Sequence, residues 1–553
     1  MKITVNGKSF EIAAGTTYYD IATSFQKNYK EDILLVRRDD KIVELFKPVE
    51  DNANISFIFF NDKAGYRAYS RSAIFVLLKA LYEYFPPKTN HTFSLEFRIG
   101  DGYYFTIRDE KGISVINEDD VEKINKIFMG IVSKKIPIRK TSYTTDEASK
   151  LFASYGMLQK SNLLKYRLKD KINIYDIDNF PGYFYGYLLH DTGYIKNYDI
   201  KYYKDGILLI LPNQMRPGII EEEKKLDNLF NAQITSVDWT RSLNANCVAE
   251  LNGKIATGEF DDLVLLQEAY QEKQIGDIAQ TIASSGTRII LIAGPSSSGK
   301  TTFSHRLSTH LKALGRNTVA TSIDNFFVNR VDTKRDENGE YEYESVENVD
   351  RELFTKTIND LIDGKPTVIP FYDFYKGEKI FDSPPTSLGS NDILVVEGIH
   401  CLNEIISKDF KTKDKFRIYI SDLTPISVDE HNRISTSDCR LIRRIVRDNR
   451  TRGYKVSETL KMWKKVRKGE EENIFPFQEN AEFTFNSALI YELAVLKIYA
   501  EPLLFNVSKN DPCYEEARGL LKFLSYFLAA PSDSIPKNSI LREFIGGGIF
   551  GVV

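Results

Sequence analysis

"LIAGPSSSGKTTF", Leu291–Phe303, is the stretch from which the rest of the chain can be ordered. Gly294, Pro295, Ser296, Ser297, Ser298, Gly299, Lys300 and Thr301 fit G-x-x-x-x-G-K-[ST] at every position, and Thr302 follows. The apolar run "RIILIAG" before it reads as a buried strand, and "TTFSHRLSTHLKALG" after it reads as a helix. Strand, glycine loop and helix together make a phosphate-binding loop. Its amides curl around phosphate oxygens and the helix start adds a positive end. In such a loop Lys300 reaches the β- and γ-phosphates and the Thr301 hydroxyl goes to Mg²⁺, so ATP and Mg²⁺ are the expected cofactors.

Outward from the loop, the chain has too many residues, 553, for one ordinary domain. Its 42% hydrophobic and 27% charged residues are ordinary for a globular protein, and a net charge of -3 advertises no global affinity for nucleic acid or an acidic membrane. Cys247, Cys401, Cys439 and Cys513 form no CxxC pair, which fits a reducing cytoplasm and neither a disulfide framework nor a zinc knuckle. The opening "MKITVNGKSFEIAAGTT" has no long apolar run, so neither a signal peptide nor a membrane span is expected.

Residues 1–60 have a ubiquitin-like order of elements: a hairpin around Asn6-Gly7, a helix capped at Thr16 or Thr17, then further strands. Residues 61–235 read as a second α+β domain, and 236–285 as a helical linker. Residues 286–505 alternate strand-like and helix-like segments, the pattern of a doubly wound parallel sheet, here expected to have five strands. Residues 506–553 form a helical tail. The expected fold class is therefore multidomain, α+β followed by α/β.

N-K-x-D, the guanine-recognition signature, is not found; the choice between ATP and GTP is not otherwise readable. The parts of a small-molecule kinase are found. "NTVATSIDNFF" reads as a strand ending at Asp324, and "NDILVVEGIHCL" as a buried strand ending at Glu397, both at the sheet edge where ligands bind. Glu397 can hold Mg²⁺ directly or through water. "CRLIRRIVRDNRTRGYKV" carries arginines 440, 443, 444, 447, 450 and 452, a helix able to close over phosphates. Each feature alone has a bland reading as a turn acid, a strand end or a solvated face; their order after the loop favours function.

These residues resemble the uridine kinase branch of the phosphoribulokinase/uridine kinase group, through "GPSSSGKTT", "SIDNFF", "LIDGKPTVIPFYDF", "DILVVEGIH" and "RRIVRDNRTRG" across residues 288–455. The resemblance implies an ATP-dependent kinase acting on a hydroxyl, foremost the 5′-hydroxyl of a nucleoside such as uridine or cytidine. It implies Asp324 as the base, Thr301 and Glu397 as the Mg²⁺ shell, Tyr343, Glu344 and Tyr372 beside the acceptor, and Arg447 and Arg452 near the phosphates. Two positions depart from it. Gly377 stands where pyrimidine kinases have a base-reading histidine, and Glu344 replaces their aspartate. A non-nucleoside acceptor, a sugar phosphate or a pantothenate-like acid, therefore stays open. Uridine kinases often self-associate, so a homo-oligomer is open by analogy.

Residues 1–60 resemble the TGS domain of threonyl-tRNA synthetase, and residues 61 to about 230 its second additional domain, the editing module. The module's H-x-x-x-H falls on Arg71 and Phe75, and its C-x-x-x-H near Phe184 and Leu188. All four ligand-type residues are missing, so the fold is expected without the metal chemistry; His190 nearby reads as structural. The order TGS-like, editing-like, kinase-like resembles bacterial proteins described as nucleoside kinases or uridine kinase-like. The alternative is an RNA-associated regulatory protein, binding a tRNA acceptor end or a nucleotide through its first half and using the phosphate loop as a switch. Its "KKIPIRK" and "KMWKKVRK" runs are the basic stretches that could serve.

Overall fold

The computed structural model describes residues 1–39, 41–85, 91–222, 224–335, 339, 341–342, 344–373 and 376–551. They fold into two compact units.

The first unit comprises Met1–Lys225, Cys247–Glu250 and Ser427–Arg433. It opens with a five-stranded sheet in the spatial order Lys8–Glu11, Lys2–Val5, Ala53–Ile58, Leu35–Arg38, Lys41–Glu44. Asn6 and Gly7 both take positive φ, 52° and 76°, the twist a two-residue hairpin turn requires. Helix Tyr18–Phe25 starts at Thr17, whose hydroxyl caps the Asp20 amide while the Asp20 carboxylate returns to the Thr17 amide. Ile3, Val5, Ile21, Val36, Leu45 and Ile55 close the core between helix and sheet. Beyond it, helix Lys63–Tyr84 is buried nearly all round, from Gly65 to Leu81. It is the central element of its region, which also holds a four-stranded antiparallel sheet (Asp199–Tyr203, Gly206–Ile210, Gly102–Arg108, Thr92–Ile99) and a three-stranded one (Phe180–Gly182, Lys171–Ile177, Arg139–Thr144).

Ser427–Arg433 comes late in the sequence, yet it is built into this unit. The Leu95 amide donates to the Glu430 carbonyl at 2.8 Å, and Asn432 Nδ2 to the Tyr183 carbonyl at 2.8 Å. Lys160 Nζ meets Asp429 Oδ1 at 2.8 Å with both side chains fully buried. Removing one partner of such a pair leaves an uncompensated buried charge.

The second unit comprises Leu226–Asn246, Leu251–Ile426 and Ile434–Val553. Its first helix, Asp227–Ser242, runs across position 235, where the sequence reading divides the chain. Its five parallel strands stand in the order Thr318–Ser322, Ile393–Glu397, Ile289–Ala293, Lys415–Ser421, Phe483–Asn486. Ile289, Ile290, Leu291, Ile292 and Ala293 are all buried, because helices cover both faces of a parallel sheet. The first strand lies at the centre: on one side the second strand takes the edge and the third fills the place between, and on the other side the fourth and fifth follow outward. The order reverses beside the end of Ile289–Ala293, the crevice where such sheets bind ligands. Glu492–Phe505, Tyr514–Leu524 and the short Arg542–Ile545 are the last helices. Among the described residues no helix is long and apolar enough to cross a membrane.

Candidate active site

The phosphate loop leaves Ala293 and re-enters a helix, Lys300–Ala313, through Gly299. Gly299 has φ +85°, and a β-carbon there would lie 2.5 Å from Ile540 Cγ2, so only glycine fits. Ser297 also has positive φ, 60°, a costly conformation for a side-chain residue and one held at functional turns. The Ser297 and Ser298 hydroxyls are buried without a hydrogen-bond partner. Lys300 Nζ folds back onto the carbonyls of Gly294 (2.9 Å) and Pro295 (3.3 Å). Two orphaned hydroxyls, a lysine folded onto the loop and the amides of the helix start form a donor set that fits the phosphates of a nucleotide.

Three carboxylates gather near this loop. Asp324 does not end the strand, as its sequence suggests: the strand stops at Ser322, whose hydroxyl caps the Asp324 amide and opens a 3₁₀ turn, Ile323–Phe326. The turn still delivers Asp324 to the strand's carboxyl end. Burial raises its pKa, while Lys300 and then Arg452 lower it. Glu397 ends its own strand as expected, in register with Ser322 on one side and Ile292 on the other. Burial pushes its pKa up to about 7, against Lys300, and the nearby Asp324 and Glu543 raise it further. Glu344 is also pushed up to about 7, first by burial and then by Glu470, with Arg444 opposing. Gly469 makes room for it, since a β-carbon there would collide with the Glu344 side chain. Half-buried acids sharing one lysine form an electron-rich pocket, and Glu397 and the Thr301 hydroxyl offer oxygen ligands that suit a hard cation such as Mg²⁺. Tyr372 is buried on the hairpin strand Phe371–Asp373, its amide donating to Asn325 Oδ1 at 3.3 Å and its ring 6.2 Å from that of Phe327. Tyr343 lies outside the described residues.

The arginine-rich segment is helix Thr436–Arg452, and its arginines have separate tasks. Arg440 forms a buried ion pair with Glu470 and donates to the Ser296 carbonyl at 3.0 Å. Arg443 is paired with Glu492 and with Asp422. Arg444 donates to Ser296 Oγ at 2.9 Å and to Asp448. These three grip the loop from behind. Arg447 and Arg452 both meet Asp448, at 2.8 and 3.5 Å, and only Arg452 bears on Asp324. Arg450 donates to the carbonyls of Glu543 (2.9 Å) and Phe544 (3.1 Å). Two acids that the sequence did not single out also hold loop amides. Glu470 Oε1 accepts from Ser296 N at 3.1 Å, and Glu543 Oε2 from Thr302 N at 3.3 Å. No local motif marks either. Asp422, Cys439 and Glu492 lie close enough together to hold a metal, but Arg443 already supplies their cation.

In the first unit, two of the positions aligned with absent metal ligands, Phe75 and Phe184, pack against each other. The Phe75 and Phe184 rings are 5.2 Å apart, Leu188 is fully buried, and the Arg71 guanidinium lies 5.3 Å from the centre of the Tyr185 ring. His190 stacks on Tyr19 at 3.9 Å, and burial lowers its pKa. The side chains at the four positions, Arg71, Phe75, Phe184 and Leu188, offer a metal no ligand atom.

A loop, a strand-end acid, a second acid for a cation and an arginine helix define a P-loop phosphotransferase domain. Residues 289–492 match the model of the Phosphoribulokinase / Uridine kinase family. The chain is also similar to threonine–tRNA ligases. It is 30% identical over 197 residues to that of Azobacteroides pseudotrichonymphae genomovar. CFP2, covering 35% of this chain and 30% of that one. It is 27% identical over 201 residues to that of Parabacteroides distasonis, with the same coverage of each. The chain thus spans less than a third of the length of these relatives. Among solved structures, a protein described as a possible uridine kinase from Bacillus stearothermophilus aligns at 21% identity and TM-score 0.27, over 39% of this chain and 98% of its own.

Proposed function

We propose that the second unit transfers the terminal phosphoryl group of ATP, taken as its Mg²⁺ complex, to a hydroxyl of a small molecule, foremost the 5′-hydroxyl of a nucleoside. The observation that carries this reading is the placing of three residues at the carboxyl edge of the sheet: Asp324 just after its strand, Glu397 at the end of the neighbouring strand, and Lys300 at the start of the helix that follows the central strand. Asp324 takes the proton of the acceptor hydroxyl as its oxygen bonds to the γ-phosphorus; the bond to the bridging oxygen breaks and ADP leaves. Burial keeps Asp324 more basic than an exposed aspartate, which suits a base. Lys300 leaves the carbonyls of Gly294 and Pro295 to meet the β- and γ-phosphates, and the Ser297 and Ser298 hydroxyls find acceptors there. Thr301 and Glu397 hold the Mg²⁺, which offsets charge on the phosphates. Arg447 and Arg452 stabilise the transferred group, and Arg452 also holds Asp324 toward its ionised form. Glu344, Tyr372 and, by its place in the sequence, Tyr343 contact the acceptor. None of the four cysteines is paired, which supports a cytoplasmic setting.

The test is ADP release from Mg·ATP across uridine, cytidine, purine nucleosides, deoxynucleosides, ribulose 5-phosphate and pantothenate, with Lys300→Ala as the blank. Turnover with one acceptor fixes reaction and substrate together. Silence across the panel, with ATP still bound, refutes the nucleoside assignment. A tRNA acceptor end or a nucleotide at the first unit is then the next ligand to test, as the similarity to threonine–tRNA ligases suggests.

A further inference from the structure

Beside the start of the phosphate-loop helix, within the second unit, lies a cavity of about 200 Å³. Thr302, Arg450, Lys537, Arg542, Glu543 and Phe550 line it, with the turn Gly546–Gly548. Most of these residues follow residue 492, where the family match ends. Lys300, Asp324 and Glu397 do not border it. That separation gives the cavity a place along a bound donor. The three residues take the transferred phosphoryl end. The helix-start amides then run from Lys300 to Thr302, so the remainder of the donor leaves on the Thr302 side, where the cavity begins.

The lining suits that remainder. Three cations face one carboxylate. The volume is below the roughly 300–1,000 Å³ of pockets that enclose a whole drug-sized ligand, so it suits part of a nucleotide. Phe550 offers a planar ring, already stacked on His305 at 5.1 Å, and Arg450 a planar cation; both suit a base. The segment is fastened in place. Arg450 holds the Glu543 and Phe544 carbonyls, Arg542 holds those of Ser532 (2.9 Å) and Ile535 (2.7 Å), and the Ile549 amide donates to the Lys537 carbonyl at 3.0 Å. One group opposes a phosphate. Glu543 Oε2 accepts from both Thr302 Oγ1 (2.8 Å) and Thr302 N (3.3 Å). An oxyanion therefore already sits on an amide of the phosphate-binding helix start.

We propose that residues 537–550 form the wall of the donor site that receives the nucleotide's base and ribose, with Glu543 occupying the Thr302 donors until a phosphate oxygen replaces it. This rests on the donor-site reading given under Proposed function. Glu543 is then a built-in competitor of the donor, and the segment's cavity distinguishes a nucleotide from a bare polyphosphate.

The experiment is equilibrium binding of Mg·ADP and of Mg·tripolyphosphate, which has no base or ribose. The proteins are the full chain, Lys300→Ala, Phe550→Ala, a chain ending at residue 545 and Glu543→Gln. Base stacking is worth about 1–3 kcal/mol, so Phe550→Ala and the shortened chain should lose on the order of tenfold for ADP and little for tripolyphosphate. Glu543→Gln should bind both ligands several-fold more tightly. Unchanged ADP affinity in both Phe550→Ala and the shortened chain overturns the base assignment. Equal losses for the two ligands also overturn it, because the segment would then only prop the loop. Glu543→Gln binding no more tightly overturns the competition. A full chain that binds neither ligand better than Lys300→Ala overturns the donor reading itself, and this inference with it.

Discussion

Two places in the molecule differ in what their side chains offer. Around Phe75 and Phe184 the ligand-type side chains are gone and aromatic rings 5.2 Å apart fill the space. Around Asp324, Glu397 and Glu344 three acids gather, half-buried, although loss of water disfavours their ionised forms. A site that keeps several acids around a single lysine retains a cost that folding alone does not require. The contrast therefore marks the acids around Lys300, and not the rings around Phe75, as the place whose charge folding alone does not require.

Lys300→Ala tests that contrast most severely. It removes the ammonium for the β- and γ-phosphates, and turnover should fall on the order of 10³-fold or more. Near-normal ADP release in that variant would break the loop assignment. Asp324→Asn comes next. General-base catalysis is worth about 10²–10⁴-fold, so kcat should drop by that order while ADP affinity, measured directly, holds. Collapsed ADP affinity with turnover preserved would make Asp324 a structural or metal-holding residue.

The apolar side of the contrast is tested at Phe75. Its side chain is fully buried against Phe180 and Phe184. Phe75→Ala should destabilise the first unit by about 3–5 kcal/mol, read as a lowered denaturation midpoint. A loss under about 1 kcal/mol would mean that the rings do not fill a packed core and that the place is an open pocket.

What the sequence made legible follows the range of the interactions. The loop, its strand and helix, Glu397 at a strand end and the arginine helix are local patterns, readable within some twenty residues. Asp324 was legible as a residue at the sheet edge but not as part of a 3₁₀ turn, because Ser322 ends the strand through a side-chain cap. The tasks of the arginines were only partly legible. Arg444 with Asp448 is an i,i+4 pair that spacing reveals. Arg440 with Glu470 and Arg443 with Glu492 join different helices, and no pattern within helix Thr436–Arg452 announces them. Glu543 lies 241 positions from Thr302, and Asp429 lies 269 from Lys160. Both are ordinary acids until the fold closes. Long-range polar pairs are thus where pattern reading ends, and here one of them touches the phosphate loop.

The mildest test concerns what the retained acids cost. Glu344 has its pKa pushed up to about 7, by burial first and Glu470 second, whereas an unfolded glutamate titrates near about 4.3. Between those values the native state holds a proton that the unfolded chain has released. The slope of unfolding free energy with pH is set by protons bound in the unfolded state minus those in the native state, so it is negative in this window. Stability should therefore fall as pH rises from about 4.5 to about 7, with no further contribution from this group above that. Glu344→Gln cannot ionise and should remove this share of the slope, raising Tm by a few degrees at pH 8 and leaving it nearly unchanged at pH 5. Glu397 and Glu492 are raised in the same way, so part of the slope should survive in the variant. A Tm at pH 8 equal to or below that of the parent chain would mean that Arg444 and Lys300 offset the buried charge in full. Glu344 would then be stably ionised in the folded chain, and the site would carry less stored cost than the comparison with Phe75 and Phe184 assigns to it.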